Sequence, residues 1–205
     1  MAGAGAGGRA GSVRSRTGRA VALARLLNRD CTRLLELYRE RENFPPEMCL
    51  EKDRIVALSP SAPHLSANER VWLLHSALHQ CLRLLERVIG WEDEQGFGEE
   101  GEYESMRSTV KDRLGHLLQS TKTLLVEGEG IAPLTPNPDN PEETDGLEKG
   151  GIFEAKLWTC RVLQELIHWT QSTAQTLHTM HSERDKERGK TTGRKGKRER
   201  GGIQS

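Results

Sequence analysis

Apolar side chains recur at the 3.6-residue period in four stretches of this chain, and no stretch shows sustained strand alternation. Residues 17–41 place Leu23, Ala24, Leu27, Cys31, Leu34, Leu35 and Tyr38 on one stripe, with Arg25, Arg29, Thr32 and Glu36 opposite. Residues 66–90 open on Ser66 and Glu69, the spacing of a capping box in which each side chain satisfies the other's free backbone N–H. Leu74, Leu78, Cys81, Leu82, Leu85 and Ile89 follow as a broad apolar face. Residues 103–126 carry Tyr103, Met106, Val110, Leu114, Leu117, Leu118, Thr121, Leu124 and Leu125. Residues 152–182 carry Ile152, Leu163, Leu166, Ile167, Thr170, Ala174 and Leu177, flanked by Val162, Trp169 and Met180. These patterns predict an all-α protein with four helices.

The connections predict how the helices are arranged. The segments 42–65 and 127–150 each hold 24 residues and several prolines, whereas 90–101 is half as long. A 24-residue helix is ~36 Å long, and a chain recrossing that distance needs at least ~11 extended residues. Both outer connections can therefore run the full length of a bundle. Two long crossovers around a short middle link give an up-up-down-down, long-chain four-helix bundle over residues 17–182.

Charge changes the picture at the ends. The formal net charge of zero combines residues 1–19, with four arginines and no acid, with residues 183–205, with nine Lys/Arg against four Asp/Glu. The body between them holds 17 bases and 26 acids. Residues 1–16, rich in Gly and Arg, and 183–205, without an apolar residue before Ile203, are expected to be disordered. A basic tail of this kind can bind heparin-like polyanions. No apolar run resembles a signal peptide or a bilayer span, so a cytoplasmic store and no membrane insertion are expected. Cys31, Cys49, Cys81 and Cys160 are scattered, and three of them fall inside helical patterns. Those three read as small buried apolar side chains, and an even count without any CxxC pairing is weak evidence for a disulfide.

Nothing here points to catalysis or a cofactor. His75 and His79 are spaced i, i+4, but no HExxH and no third ligand accompany them, so they read as solvated surface. The acidic run from Glu92 to Glu104 lacks the alternating oxygens of a calcium loop and reads as a solvated connection. No feature specifies a nucleic-acid partner.

The fourth helix carries a resemblance. Gly150 to Trp158 (GGIFEAKLW), then Arg161 to Leu166 (RVLQEL), Trp169 and Thr170, is similar to the fourth helix of the ciliary neurotrophic factor family, in the interleukin-6 group of four-helix cytokines. Leu23 to Arg25, Asp30, Leu34, Tyr38 and the run from Leu65 to Arg70 match as well. The resemblance covers roughly residues 17–181. It implies a ligand that bridges ciliary neurotrophic factor receptor α, the leukaemia inhibitory factor receptor and a shared signal-transducing β receptor. It implies that Phe153 and Lys156 engage the leukaemia inhibitory factor receptor, and that Arg25 contributes to receptor contact on the first helix. Departures occur at Asn28, Ala62, Ser172 and Gln175, where the family has arginine, tryptophan and two basic residues. The competing reading is an intracellular helical-bundle adaptor with a polyanion-binding tail. It leaves the fourth-helix motif without an explanation.

Overall fold

The computed structural model describes residues 6–49, 54–60, 62, 64–96, 101–127 and 151–193. Four long helices account for most of them: α1 (Ala6–Glu42), α2 (Ala67–Glu94), α3 (Glu102–Glu127) and α4 (Ile152–Gly193). A short 3-10 turn, Pro46–Cys49, follows α1.

Each helix packs against two others. α1 and α2 both lie against α3 and α4. Partner residues fix the directions. Along α1 and α4, Tyr38 meets Lys156 while Asn28 meets Ile167 and Thr170, so the two run antiparallel. Along α2 and α3, Glu92 meets Tyr103 and Arg107 while His75 meets Thr121. Arg41 near the end of α1 also meets Glu92 near the end of α2, and Arg33 meets Glu102 at the start of α3, so the ends of α1 and α2 lie beside the starts of α3 and α4, which is the up-up-down-down order. The core is the set of stripes read from the sequence: Leu27, Leu34, Leu74, Leu78, Leu114, Leu117, Leu163 and Leu166 are all fully buried.

The ends differ from expectation. α1 begins at Ala6 rather than 17, and α4 continues to Gly193 rather than stopping at 182, so two stretches expected to be disordered are helical up to those limits. Alanine and arginine before Thr17, and Glu, Arg and Lys after Ser182, are good helix formers. They extend a helix already nucleated on the core. Residues 1–5, 194–205 and the crossover 128–150 lie outside the described residues. α2 runs four residues past its expected end, to Glu94. Its Ser66–Glu69 capping box forms as predicted.

The first crossover is tied down twice. Cys49 and Cys160 form a disulfide, a correction to the reading of Cys160 as a lone apolar side chain. Their separation of 111 residues leaves no spacing motif to find. Further along, the Glu165 carboxylate accepts the Trp169 indole N–H at 3.1 Å and pairs with Arg54 at 3.4 Å. The other two cysteines, Cys31 and Cys81, are buried thiols outside the disulfide, and burial beside Asp30 pushes the Cys31 thiol well up, so it stays protonated.

Closing a loop of that length restricts the unfolded chain strongly. Cys49→Ser should lower the urea unfolding free energy by about 2–5 kcal/mol in non-reducing buffer. Unchanged stability would show that the pair does not form in solution.

Candidate functional site

The residues singled out by sequence fall at opposite ends of the bundle. Phe153 and Lys156 sit in the first turn of α4, and Arg25 lies on α1 beside the later turns of that helix. Along α4, from Phe153 to Gln175, the two places are ~33 Å apart.

At the first end, α1 stops in a defined way. Asn43 adopts the left-handed conformation, φ 54°, and its N–H bonds the Glu40 carbonyl, while the Phe44 N–H bonds the Arg39 carbonyl. This is the Schellman cap, and Pro45 and Pro46 prevent the helix from continuing. The cap turns Phe44 back onto Tyr38, ring centroids 6.3 Å apart, and against Phe153, 6.1 Å apart and edge to face. Phe153 is nevertheless 52 % exposed and Ile152 57 % exposed. Ile152 thus stands outside the core stripe on which the periodicity placed it. Large apolar side chains left this open next to one another, with Met48 also exposed on the adjoining turn, form a surface suited to a partner.

Lys156 lies deeper. Its ammonium pairs with the Glu42 carboxylate, which also takes the Arg41 guanidinium at 3.0 Å. Arg41 in turn reaches Glu92 at 2.6 Å and Glu104 at 3.5 Å, and lies over the Tyr103 ring at 4.1 Å. Glu92 is completely buried; it also pairs with Arg107 and accepts the Tyr103 hydroxyl at 3.0 Å. Burial works against the Arg41 charge, but Glu92, Tyr103 and Glu42 outweigh it and its pKa moves up. Burial and the adjacent Glu92 raise the Tyr103 pKa, so the phenol stays a donor. The expectation of a solvated acidic connection starting at Glu92 is therefore wrong at Glu92 itself.

At the other end Arg25 is exposed and lines a groove of about 540 Å³ between α1 and α4, with Asn28, Arg29, Gln171, Ala174, Gln175 and His178. The Asn28 amide donates to the Ile167 carbonyl at 2.8 Å and to the Thr170 hydroxyl at 3.0 Å, stitching the floor shut. Two guanidinium groups and three side-chain amides line the groove, a donor-rich surface for acidic or carbonyl-bearing partners.

The sequence profile described as ciliary neurotrophic factor matches residues 1–196. The chain belongs to the ciliary neurotrophic factor family. It is similar to ciliary neurotrophic factor from Sus scrofa, 26% identical over 170 residues that cover 80% of this chain and 82% of the relative. To that from Oryctolagus cuniculus it is 27% identical over 154 residues, covering 74% and 75%. The family is one of cytokines, so this chain is a cytokine and not an enzyme. No helix among the described residues is long and apolar enough to cross a membrane.

Sequence reasoning missed Glu42, Phe44 and the Glu92 cluster. A signal was there: Glu92 continues the Leu85–Val88 stripe of α2, and Arg107 stands between Tyr103 and Val110 on the stripe of α3. It also misjudged His75, which is half-buried rather than solvated. Its Nδ1 lies 2.9 Å from the Thr121 hydroxyl, whose own proton goes to the Leu118 carbonyl, so the ring donates. Among the described residues no three His, Cys, Asp or Glu side chains stand together to hold a metal.

Burial first, then His79 and Lys122, depress the His75 pKa; burial and Arg54 depress that of His168. Both rings take up a proton less readily in the fold than in the unfolded chain, whose histidines titrate near the ordinary value of ~6.5. The stability they contribute is fully present above that value and is lost as pH falls from it through the folded pKa values. His75→Gln should flatten the slope of unfolding free energy against pH just below about 6.5, leaving the share of His168. An unchanged slope would remove His75 from the account.

Proposed function

We propose that this chain bridges cell-surface receptors: a ciliary neurotrophic factor receptor α at the Arg25 groove, the leukaemia inhibitory factor receptor at the Phe153 end, and a shared signal-transducing β receptor on the outer faces of α1 and α3. Drawing the receptor chains together activates their associated kinases and STAT proteins, for neuronal survival and differentiation. The observation that carries the reading is the exposed pair Ile152–Phe153, backed by Phe44, at the start of α4. An aromatic ring held at a defined angle loses little freedom on binding and fills a pocket with large area. The cluster Arg25, Arg29, Gln171 and Gln175 supports a second, polar contact at the far end. The bases of residues 183–205 support weak, salt-sensitive binding to heparin-like polyanions. A cytoplasmic store with unconventional release belongs to the same reading and rests on the family resemblance.

The test compares wild type, Phe153→Ala and Arg25→Ala for binding to the three receptor ectodomains and for STAT phosphorylation in cells that carry them. Phe153→Ala should bind the leukaemia inhibitory factor receptor ~30-fold or more weakly, as loss of a hot spot does. Its binding to the α receptor should stay within about twofold of wild type. Arg25→Ala should show the reverse. Folded wild type that binds no receptor and stays silent would overturn the reading in favour of the intracellular adaptor.

A further inference from the structure

We infer that the first turns of α1 and the last turns of α4 form one basic two-helix surface whose partner is a sulfated glycosaminoglycan, an inference that rests on reading residues 183–205 as polyanion-binding and extends it to the arginines of α1. The helix register brings the two ends of the chain together. Tyr38 lies beside Lys156, Asn28 beside Ile167 and Thr170, and Gly18 beside the His181 ring. Each step back along α1 is matched by a step forward along α4, so Ala6 and Gly193 fall at nearly the same level and the two helices end together. The other two helices stop short. With Glu92 beside Arg41 and His75 beside Thr121, α2 starts and α3 ends at about the level of Thr17. Thr17 and Met180 are still buried there. Beyond that level α1 and α4 run on for roughly 15 Å, with neither α2 nor α3 accompanying them.

Charge gives this projection its character. Residues 6–19 hold four arginines and no acid, and residues 183–193 hold four bases against three acids. Arg19 and Lys186 are exposed. The body from 20 to 182, with 17 bases and 26 acids, carries the opposite sign. A polyanion is therefore drawn to this end of the molecule and repelled by the rest of it. Composition then selects among polyanions. Neither stretch holds an aromatic residue on which nucleic-acid bases could stack. Apart from alanine, Val13 is the only apolar residue in the two, too little to hold a helix in a lipid interface. Charge alone remains, and a ligand for cell-surface receptors meets chains of sulfated sugar where it acts.

Full-length wild type, an α1 variant (Arg9→Gln, Arg14→Gln and Arg19→Gln) and an α4 variant (Arg184→Gln, Lys186→Gln and Arg188→Gln) are titrated with a heparin fragment over a series of salt concentrations. Glutamine keeps the helix propensity of the bases it replaces, and circular dichroism confirms that helix content is retained. Wild type should bind with an affinity that falls steeply as salt rises. Each triple variant should bind about tenfold or more weakly near physiological salt and show a shallower salt dependence, because fewer counterions are released. Wild type that ignores heparin overturns the polyanion reading of the tail and this inference together. An α1 variant that binds like wild type, beside a weakened α4 variant, overturns the two-helix surface and leaves the tail reading standing. An α4 variant that binds like wild type overturns both. Equal or tighter binding at the same salt to desulfated heparin, duplex DNA or phosphatidylserine vesicles overturns the assignment to a sulfated glycosaminoglycan.

Discussion

A carboxylate with no exposed surface, Glu92, sits where the ends of α1 and α2 meet the start of α3. Stripping water from such a charge costs several kcal/mol unless it is paired and hydrogen-bonded. Arg41 from α1, Arg107 from α3 and the Tyr103 hydroxyl provide the pairing. The second charge of the two arginines is shared outward, with Arg41 reaching Glu42 and Glu104 and Arg107 reaching Asp93 at 3.2 Å. Apolar stripes tolerate small slips of one helix past another, whereas a buried ion cluster does not. A displacement by one turn would leave Glu92 without its cations, so this cluster sets the register of three helices at once.

The corner at the start of α4 is built on that register. Arg41 fixes Glu42, Glu42 fixes Lys156, and the cap at Asn43 turns Phe44 onto Tyr38 and Phe153. The Cys49–Cys160 disulfide holds the outgoing chain on α4 close by. The far end depends on other forces. There Asn28, Thr170 and close apolar packing join α1 to α4, and the groove beside Arg25 stays open. A bundle of this kind presents two separate surfaces of different character, one aromatic and one polar, at a spacing set by helix length.

The bundle was legible because its signals are local and repeated. Stripes such as Leu27–Cys31–Leu34 and Leu114–Leu117–Thr121 follow the helical period, and the Ser66–Glu69 box marks a start without tertiary context. Crossover lengths then decide the topology, since only a long link can join parallel helices. The site was legible in part. The fourth-helix motif led to Phe153, but not to the ring behind it or the carboxylate under Lys156, because those come from the end of α1, more than 100 residues away. Glu92 looked like the first residue of an acidic loop because the acids that follow it masked its place on the Leu85–Val88 stripe, and Arg41 comes from another helix 51 residues away. The disulfide was hidden for the same reason. Helix ends were misplaced where strong helix formers carry no apolar stripe, as before Thr17 and after Ser182.

The central claim is that the Glu92 cluster organises one end of the bundle and leaves the other to apolar packing. Hydrogen–deuterium exchange on wild type and Glu92→Gln tests it most directly, because that change keeps the shape of the side chain and removes its charge. The account predicts a folded variant that loses protection at residues 38–44, 101–107 and 152–158, while the interior of each helix around Leu27, Leu78, Leu117 and Leu166 keeps it. Protection lost evenly along all four helices, or not lost at all, would contradict the account.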